Sequence, residues 1–200
     1  MNIRKATYQF KVSLKHIKPK IWRRIEVPAG YSFWDLHVTI QDSMGWLDCH
    51  LHAFRIRNEV TGEIDEIGIP DEEGLYDDGM IAGWEMPITI YFTKRGVRAH
   101  YLYDFGDGWE HEIVLEKISE RLPKTKYPRC LGGARACPPE DCGGIGGYGD
   151  LLKVISDPSH DEYESMTEWL GGGYDPEAFD PSNVHFDRPR KRWEMAFLDD

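Results

Sequence analysis

The sequence has no apolar run long enough for a membrane span, which takes roughly 18 consecutive apolar residues. The longest candidate among its 200 residues is the short stretch 86–92. The N-terminal segment is charged and has no apolar stretch of the signal-peptide type, so we expect a cytoplasmic protein. A Gly-x-Ser-x-Gly motif is also absent, and neither Ser43 nor Cys49 lies in a recognisable nucleophile elbow. These absences disfavour nucleophilic catalysis.

Apolar and aromatic residues, by contrast, are plentiful. The chain is 40% hydrophobic and contains 7 Trp, 10 Tyr and 8 Phe, which is enough for one full core and disfavours global disorder. We therefore predict a single domain over residues 1–200. Residues 1–120 are expected to hold the main sheet and helix, residues 121–149 a Cys-rich loop, and residues 150–200 a helical C-terminal part.

The charge is unevenly distributed along the chain. The net charge is -11, yet residues 1–30 carry eight Lys or Arg against one acid, Glu26. Residues 61–90 hold nine acids and no Lys or Arg, and a second basic cluster lies at 188–192. A basic face could therefore bind an acidic partner, nucleic acid included. The alternative is that the basic N-terminal hairpin pairs with the acidic middle of its own fold.

The first part of the sequence predicts a β-hairpin, a helix and a strand. Residues 8–14 and 21–27 alternate apolar and polar positions, which is typical of half-buried strands. Ser32 and Asp35 form a capping-box pattern before helical spacing that ends at Gly45. Residues 50–57 then alternate again. This order predicts an α+β fold with a roll-like, mixed or antiparallel sheet, similar to the β-grasp order.

The later elements are less regular. Residues 99–104 and 109–118 are predicted strands joined by the tight turn 105–108, and residues 63–69 a weak strand. Residues 88–92 suit either a strand or a short helix, so the conformation of 88–98 stays open. Residues 121–149 are rich in Pro, Gly and Cys and predict a long loop, followed by helices at 150–155 and 162–170.

The hairpin 103–111 concentrates ionisable side chains. The candidates for catalysis are Asp104, Asp107, His111 and Glu112, because carboxylates beside an imidazole can bind a metal or form an acid–base pair. Strand alternation, however, puts His111 and Glu112 on opposite faces of the sheet. The alternative is turn chemistry, in which the glycines and aspartates fix a tight hairpin.

Cysteine is scarce, and three of the four cysteines lie close together in sequence. Cys130, Cys137 and Cys142 are candidate zinc ligands, since the Cys137–Cys142 spacing falls within the range of metal sites. The possible fourth ligands are Cys49, His111, His160 and His185. Free thiols and a reversibly oxidised pair are the alternatives. The neighbouring GGIGGYG does not follow a strand, so we expect no dinucleotide cofactor there.

The basic hairpin is the candidate nucleic-acid or partner surface. Aromatic rings interleave with cations, as on surfaces that bind single-stranded nucleic acid. The residues concerned are Lys11, Lys20, Trp22, Arg23 and Arg24. The alternative is that the alternating rings belong to the core.

Four segments resemble the plasmid pRiA4b ORF-3-like family. They are YDFGDGWEHEIVLEKI at 103–118, RACPPEDCGGIGGY at 135–148, IWRRIEVPA at 21–29 and YDPEAFD at 174–180. The resemblance implies an α+β roll found in bacterial and archaeal genomes and on plasmids, which would connect it with mobile elements. It implies no established biochemical activity. Residues 88–98 depart from the leucine-rich helix that the family leads us to expect there.

Taken together, these patterns favour a non-catalytic binding or adaptor module for a protein or nucleic-acid partner. The alternative is a metal-dependent enzyme of the hydrolase type that uses the carboxylates of residues 104–112 and His111. Zinc is the one cofactor that the residues suggest, and no membrane partner is expected.

Overall fold

The computed structural model describes residues 3–70 and 79–198, with the side chain of Arg4 excepted. In the described chain, all eight strands and the first α-helix precede the three C-terminal α-helices. In chain order they are β1 (Ala6–Leu14), β2 (Trp22–Pro28), α1 (Phe33–Met44), β3 (His52–Arg57), β4 (Ile64–Gly68), β5 (Ile81–Ala82), β6 (Arg98–Tyr103), β7 (Trp109–Glu120), β8 (Arg129–Ala134), α2 (Gly144–Ser156), α3 (Tyr163–Trp169) and α4 (Pro189–Phe197).

The strands form a single eight-stranded sheet with the order β5-β4-β3-β6-β7-β1-β2-β8. The pair β4–β5 is parallel, and all other neighbouring pairs are antiparallel. The sheet is therefore mixed, and with its helices the fold is α+β, as predicted. The predicted N-terminal hairpin is confirmed, since Tyr8 pairs with Val27 and Phe10 with Ile25.

The helix α1 begins and ends where the sequence predicts. The Ser32 side chain accepts a hydrogen bond from the backbone N–H of Asp35, and the Asp35 carboxylate accepts one from the backbone N–H of Ser32. Gly45 ends the helix in the left-handed conformation with φ of 97°, which costs glycine no steric strain. Phe33, Leu36 and Ile40 point into the core, so the apolar face of α1 covers the inner face of the sheet.

Alternation along β7 is also confirmed. Trp109, His111 and Ile113 are fully buried, whereas Glu110 and Glu112 lie on the opposite face. The inner face therefore continues the hydrophobic core, and the outer face carries charged side chains.

The predicted long loop 121–149 is wrong in two places. Residues Arg129–Ala134 form the edge strand β8, which pairs with β2, and α2 begins at Gly144 rather than at 150. The strand was hidden because RCLGGA has little alternation. Gly133 of this strand must nevertheless be glycine, since a Cβ there would lie 2.4 Å from the Phe179 ring.

The charge asymmetry is only partly resolved inside the fold. The basic hairpin pairs with β7: Lys15 contacts Glu110, and Arg24 contacts Glu116 at 2.6 Å. None of its cations forms an ion pair with the acids of 61–70 and 79–90, the part of the acidic segment that the structure describes. Residues 71–78, which include five of the acids in that segment, lie outside the described residues.

The segment 88–98, left open by the sequence, contains a short 3-10 helix at Ile88–Ile90 followed by turns. Within residues 3–70 and 79–198, no helix combines the length and apolarity needed to cross a membrane.

Candidate metal centre and adjoining cleft

The tip of the β6–β7 hairpin is fixed by Asp104, a residue whose backbone φ is 54°. Its Oδ1 accepts hydrogen bonds from the backbone N–H of Gly106 at 2.9 Å and of Asp107 at 3.3 Å. Its carbonyl oxygen accepts one from the N–H of Gly108 at 2.7 Å. Asp107 accepts a bond from the N–H of Gly143 at 3.2 Å, which ties the tip to the start of α2. Turn formation and anchoring therefore occupy much of the acceptor capacity of both aspartates.

The other ionisable groups of this hairpin diverge across the sheet. His111 is fully buried with its Nδ1 3.3 Å from the carbonyl oxygen of Tyr101, and burial lowers the pKa of His111 to about 4. Glu112 lies on the outer face, 2.7 Å from Nη1 of Arg98. The four hairpin candidates for catalysis therefore do not converge on one point.

The thiols of the predicted zinc loop do not form a ligand set with one another. Cys130 lies on β8 with its Sγ 3.5 Å from the carbonyl oxygen of Gly132. Burial raises the pKa of Cys142 to about 12 and raises the pKa of Cys137 well above its ordinary value. In two places among the described residues, three metal-ligating side chains have donor atoms within 4.8 Å of one another. Neither group contains a residue of the predicted zinc set, that is Cys130, Cys137, Cys142, His111, His160 or His185.

His50 is instead the shared member of two such groups. In the first, donor atoms of Cys49, His50 and Glu140 lie within 4.8 Å of one another. In the second, those of His50, Asp104 and Asp141 do so. Nε2 of His50 lies 3.0 Å from Oδ1 of Asp141 and 3.7 Å from Oδ2 of Asp104. Thiolate, imidazole and carboxylate are the donors that zinc and neighbouring transition metals take.

Three segments of the chain meet at this cluster. The loop between α1 and β3 carries Cys49 and His50, the hairpin tip carries Asp104, and the segment between β8 and α2 carries the other two acids. Oε1 of Glu140 accepts hydrogen bonds from the Tyr103 hydroxyl at 2.9 Å and from the backbone N–H of Leu47 at 2.7 Å. The Glu140 carboxylate is therefore held in place through one oxygen.

Two polar atoms of the cluster, Nε2 of His50 and Oε2 of Glu140, are buried and have no hydrogen-bond partner among the described residues. The approach of Asp141 to His50 lies outside hydrogen-bond geometry. Buried polar atoms are normally satisfied, and leaving one unpaired costs about 1–3 kcal/mol. A cation bound by both atoms would remove that cost.

Two clefts border the cluster. The larger has a volume of about 630 Å³, and its wall includes Glu140, Arg23, Trp46 and Trp169. The smaller, of about 360 Å³, is lined by Asp141 among others and shares Trp169 with the first. The cluster therefore adjoins space that a small ligand could enter.

The predicted nucleic-acid residues are divided between the two faces of the sheet. On the outer face, Nζ of Lys11 and Cζ of Arg24 lie 5.0 and 5.1 Å from the ring centroid of Trp22. Lys20 is exposed in the turn before β2. Arg23 points the other way and is only 1% exposed, so it cannot belong to the same surface.

Linear spacing gives little signal for His50, Glu140 and Asp141, because these residues come from segments distant in sequence. The signals that exist are local. Cys49 and His50 are adjacent donors of different type, and Pro138-Pro139 stiffens the chain directly before the two acids.

The family model described as plasmid pRiA4b ORF-3-like protein matches residues 6–183. An uncharacterized protein of Sinorhizobium fredii, y4hQ, is 35% identical over 192 residues, which cover 94% of each chain. The crystal structure of MM3350, a protein of unknown function from Methanosarcina mazei Go1, is similar with a TM-score of 0.83 and 43% identity. That match covers 91% of this chain and 99% of MM3350.

Proposed function

The chain belongs to the plasmid pRiA4b ORF-3-like family, its relatives are uncharacterized, and we propose from its geometry that it is a non-catalytic binding module with a transition-metal site at His50. The observation that carries the proposal is that two buried atoms, Nε2 of His50 and Oε2 of Glu140, make no hydrogen bond within the described residues. Carboxylate oxygens of Asp141 and Asp104 lie 3.0 and 3.7 Å from the same Nε2. The metal would fix the walls of the adjoining cleft.

Zinc is the ion that this donor set favours. Cys49, His50 and Glu140 offer sulfur, nitrogen and oxygen, each a ligand type that zinc takes, and three protein ligands would leave a fourth position open. The other group consists of His50, Asp104 and Asp141. Two of its three donors are carboxylate oxygens, so this group would favour harder cations.

The test is metal analysis of the untagged protein. We expect about one zinc per chain in the wild type and loss of that zinc in His50→Ala. His100→Ala is the matched control, because His100 is exposed on β6 and belongs to neither group. Wild-type protein that contains no transition metal and takes up none from buffered zinc would refute the site.

Cobalt substitution identifies the ligands. A bound thiolate gives cobalt(II) a near-ultraviolet charge-transfer band, which we expect in the wild type and in Asp141→Asn but not in Cys49→Ser. A band that survives in Cys49→Ser would exclude that thiol, and equal loss in both variants would contradict the division into two groups.

A metal-dependent hydrolase is the second candidate, and one distance favours it. Oδ2 of Asp104 lies 3.7 Å from Nε2 of His50, where a carboxylate could act as a base for metal-bound water. Hydrolysis of bis(p-nitrophenyl) phosphate by the zinc-loaded protein decides between the two. A binding module gives no turnover above His50→Ala, whereas the hydrolase gives turnover that Asp104→Asn abolishes.

Single-stranded nucleic acid is the partner that the outer face supports, because Lys11 and Arg24 flank the half-exposed ring of Trp22. Anisotropy of a labelled single-stranded oligonucleotide should rise on binding, and the affinity should fall with salt. We expect Lys11→Ala/Arg24→Ala to abolish binding. The matched control is Arg55→Ala/Arg98→Ala, which removes two exposed cations from β3 and β6. Equal loss in the control would mean that the hairpin surface is not the site.

A further inference from the structure

Arg23 is a buried cation on the inner face of β2. Its Nε donates to the carbonyl oxygen of Ser43 at 2.7 Å. Its Nη1 donates to the carbonyl oxygens of Trp22 at 2.9 Å and Ala134 at 3.1 Å. The guanidinium also stacks on Phe179, with Cζ 3.7 Å from the ring centroid. The two remaining N–H groups, on Nη2, have no acceptor within the described part of the chain.

This guanidinium has no counter-charge nearby. Across residues 3–70 and 79–198, no carboxylate lies within 4.0 Å of Arg23. The ionisable groups near it include the thiols of Cys130 and Cys137 and the phenol of Tyr174. Burial raises the pKa of each of these three groups, so all three are neutral at pH 7.

An unpaired buried charge is unusual, because buried charges are normally paired or bind a ligand. Arginine cannot relieve the cost by losing its proton, since it remains protonated in proteins. Three carbonyl oxygens and one aromatic ring offset part of the desolvation cost, but they leave the net charge uncompensated.

Arg23 lines the 630 Å³ cleft. The wall is otherwise mainly apolar, with Met44, Trp46, Pro138, Trp169 and Phe179 among its residues. Among the described residues that line it, the one other charged side chain is Glu140, whose Oε1 already accepts two hydrogen bonds. The cleft therefore combines an apolar wall with one unpaired cation.

We propose that this cleft binds a small organic carboxylate, with the carboxylate on the guanidinium of Arg23 and an apolar or aromatic body against Trp46 and Trp169. A carboxylate matches the planar donors of arginine, and the apolar wall favours a hydrophobic body over a bare inorganic anion. The inference rests on the binding role proposed above but not on the metal.

The test compares two ligands of nearly the same shape. Phenylacetate carries the charge and phenylacetamide does not, and binding is followed by tryptophan fluorescence and by calorimetry. We expect phenylacetate to bind at least about ten times more tightly than the amide, as expected for a charge-assisted hydrogen bond. Equal affinity, or no binding of either ligand at millimolar concentration, would overturn the proposal.

Variants then locate the charge preference. Arg23→Gln should lose the preference for the carboxylate. Because this variant also loses bonds to three carbonyl oxygens, its fold is checked by circular dichroism. Should it not fold, Trp169→Ala at the exposed rim of the cleft tests the same site, since it should weaken both ligands alike. Unchanged binding in that variant would place the ligand elsewhere.

His50→Ala separates this site from the metal site. We expect it to keep the preference for phenylacetate, since the carboxylate lies on Arg23. Loss of the preference in His50→Ala with Arg23 intact would place the anion on the metal and would leave only the metal-binding proposal standing. Wild-type protein that binds no metal but still prefers phenylacetate would refute the metal-binding proposal and leave the carboxylate site standing.

Discussion

At the scale of single residues, His111 connects burial with the pH dependence of stability. Its imidazole is fully buried in the core, and in the part of the chain that the structure describes its Nε2 has no hydrogen-bond partner. Burial lowers the pKa of His111 to about 4, whereas an unfolded histidine titrates near 6.5. Between these values the unfolded chain binds more protons than the folded chain, so stability is lost as the pH falls.

We expect this one group to contribute a loss on the order of 3 kcal/mol in the free energy of unfolding between about pH 6.5 and 4. Urea denaturation of His111→Gln over this range should therefore show a flatter pH dependence than the wild type. His100→Gln, which changes an exposed histidine, should keep the wild-type slope. An unchanged slope in His111→Gln would contradict the assignment.

Two glycines of α2 make a matched pair for a packing prediction. A Cβ at Gly147 would lie 1.8 Å from the carbonyl oxygen of Cys142, whereas one at Gly146 would meet nothing within 4 Å. We expect Gly147→Ala to lower the free energy of unfolding by at least about 2 kcal/mol, because backbone must move. Gly146→Ala should raise it by up to about 1 kcal/mol, since alanine is the better helix former. Urea denaturation measures both.

At the scale of elements, α4 is attached to α1 through Arg192. Its guanidinium contacts Asp42 at 2.7 Å and Asp48 at 3.3 Å, and Asp48 also contacts Nε2 of His37 at 2.7 Å. The two aspartate side chains are only 6% and 8% exposed. Removing Arg192 would leave both carboxylates buried without their cation, which is destabilising.

We therefore expect Arg192→Ala to lower the free energy of unfolding by about 3 kcal/mol and to speed proteolysis within α4. Arg190→Ala is the control on the same helix, because Arg190 is 90% exposed and, within the described residues, forms its ion pair with Glu194 alone. Its effect should stay below about 0.5 kcal/mol. Similar effects of the two substitutions would argue against a specific role of Arg192.

The elements that the sequence predicted are those with local signals. The capping box at Ser32 and the alternation of β1 and β7 depend on neighbouring residues, so they can be read from spacing alone. The strand β8 depends on its partner β2 and on the absence of a Cβ at Gly133, where the Phe179 ring approaches. Such long-range requirements leave no periodicity in the sequence.

At the scale of the whole molecule, the candidate site illustrates the same limit. Cys49 and Asp104 could be named from residue type, but spacing grouped Cys49 with Cys130, Cys137 and Cys142, whereas the described residues bring it beside His50 and Glu140. The partners of His50 depend on where the loop before β3, the hairpin tip and the segment before α2 meet. Only the packed fold determines that meeting point.

A metal at His50 would join these three segments, so its binding should stabilise the whole domain. An ion that binds only the folded state at 100 times its Kd adds about 2.7 kcal/mol to the free energy of unfolding. We expect zinc to raise the unfolding temperature of the wild type and of His160→Ala, in which a histidine outside both groups is replaced. His50→Ala should show no such rise, because both groups lose their shared ligand. A rise in His50→Ala equal to that of the wild type would place zinc elsewhere, and an equal response of the wild type to calcium would favour Asp104 and Asp141 over Cys49.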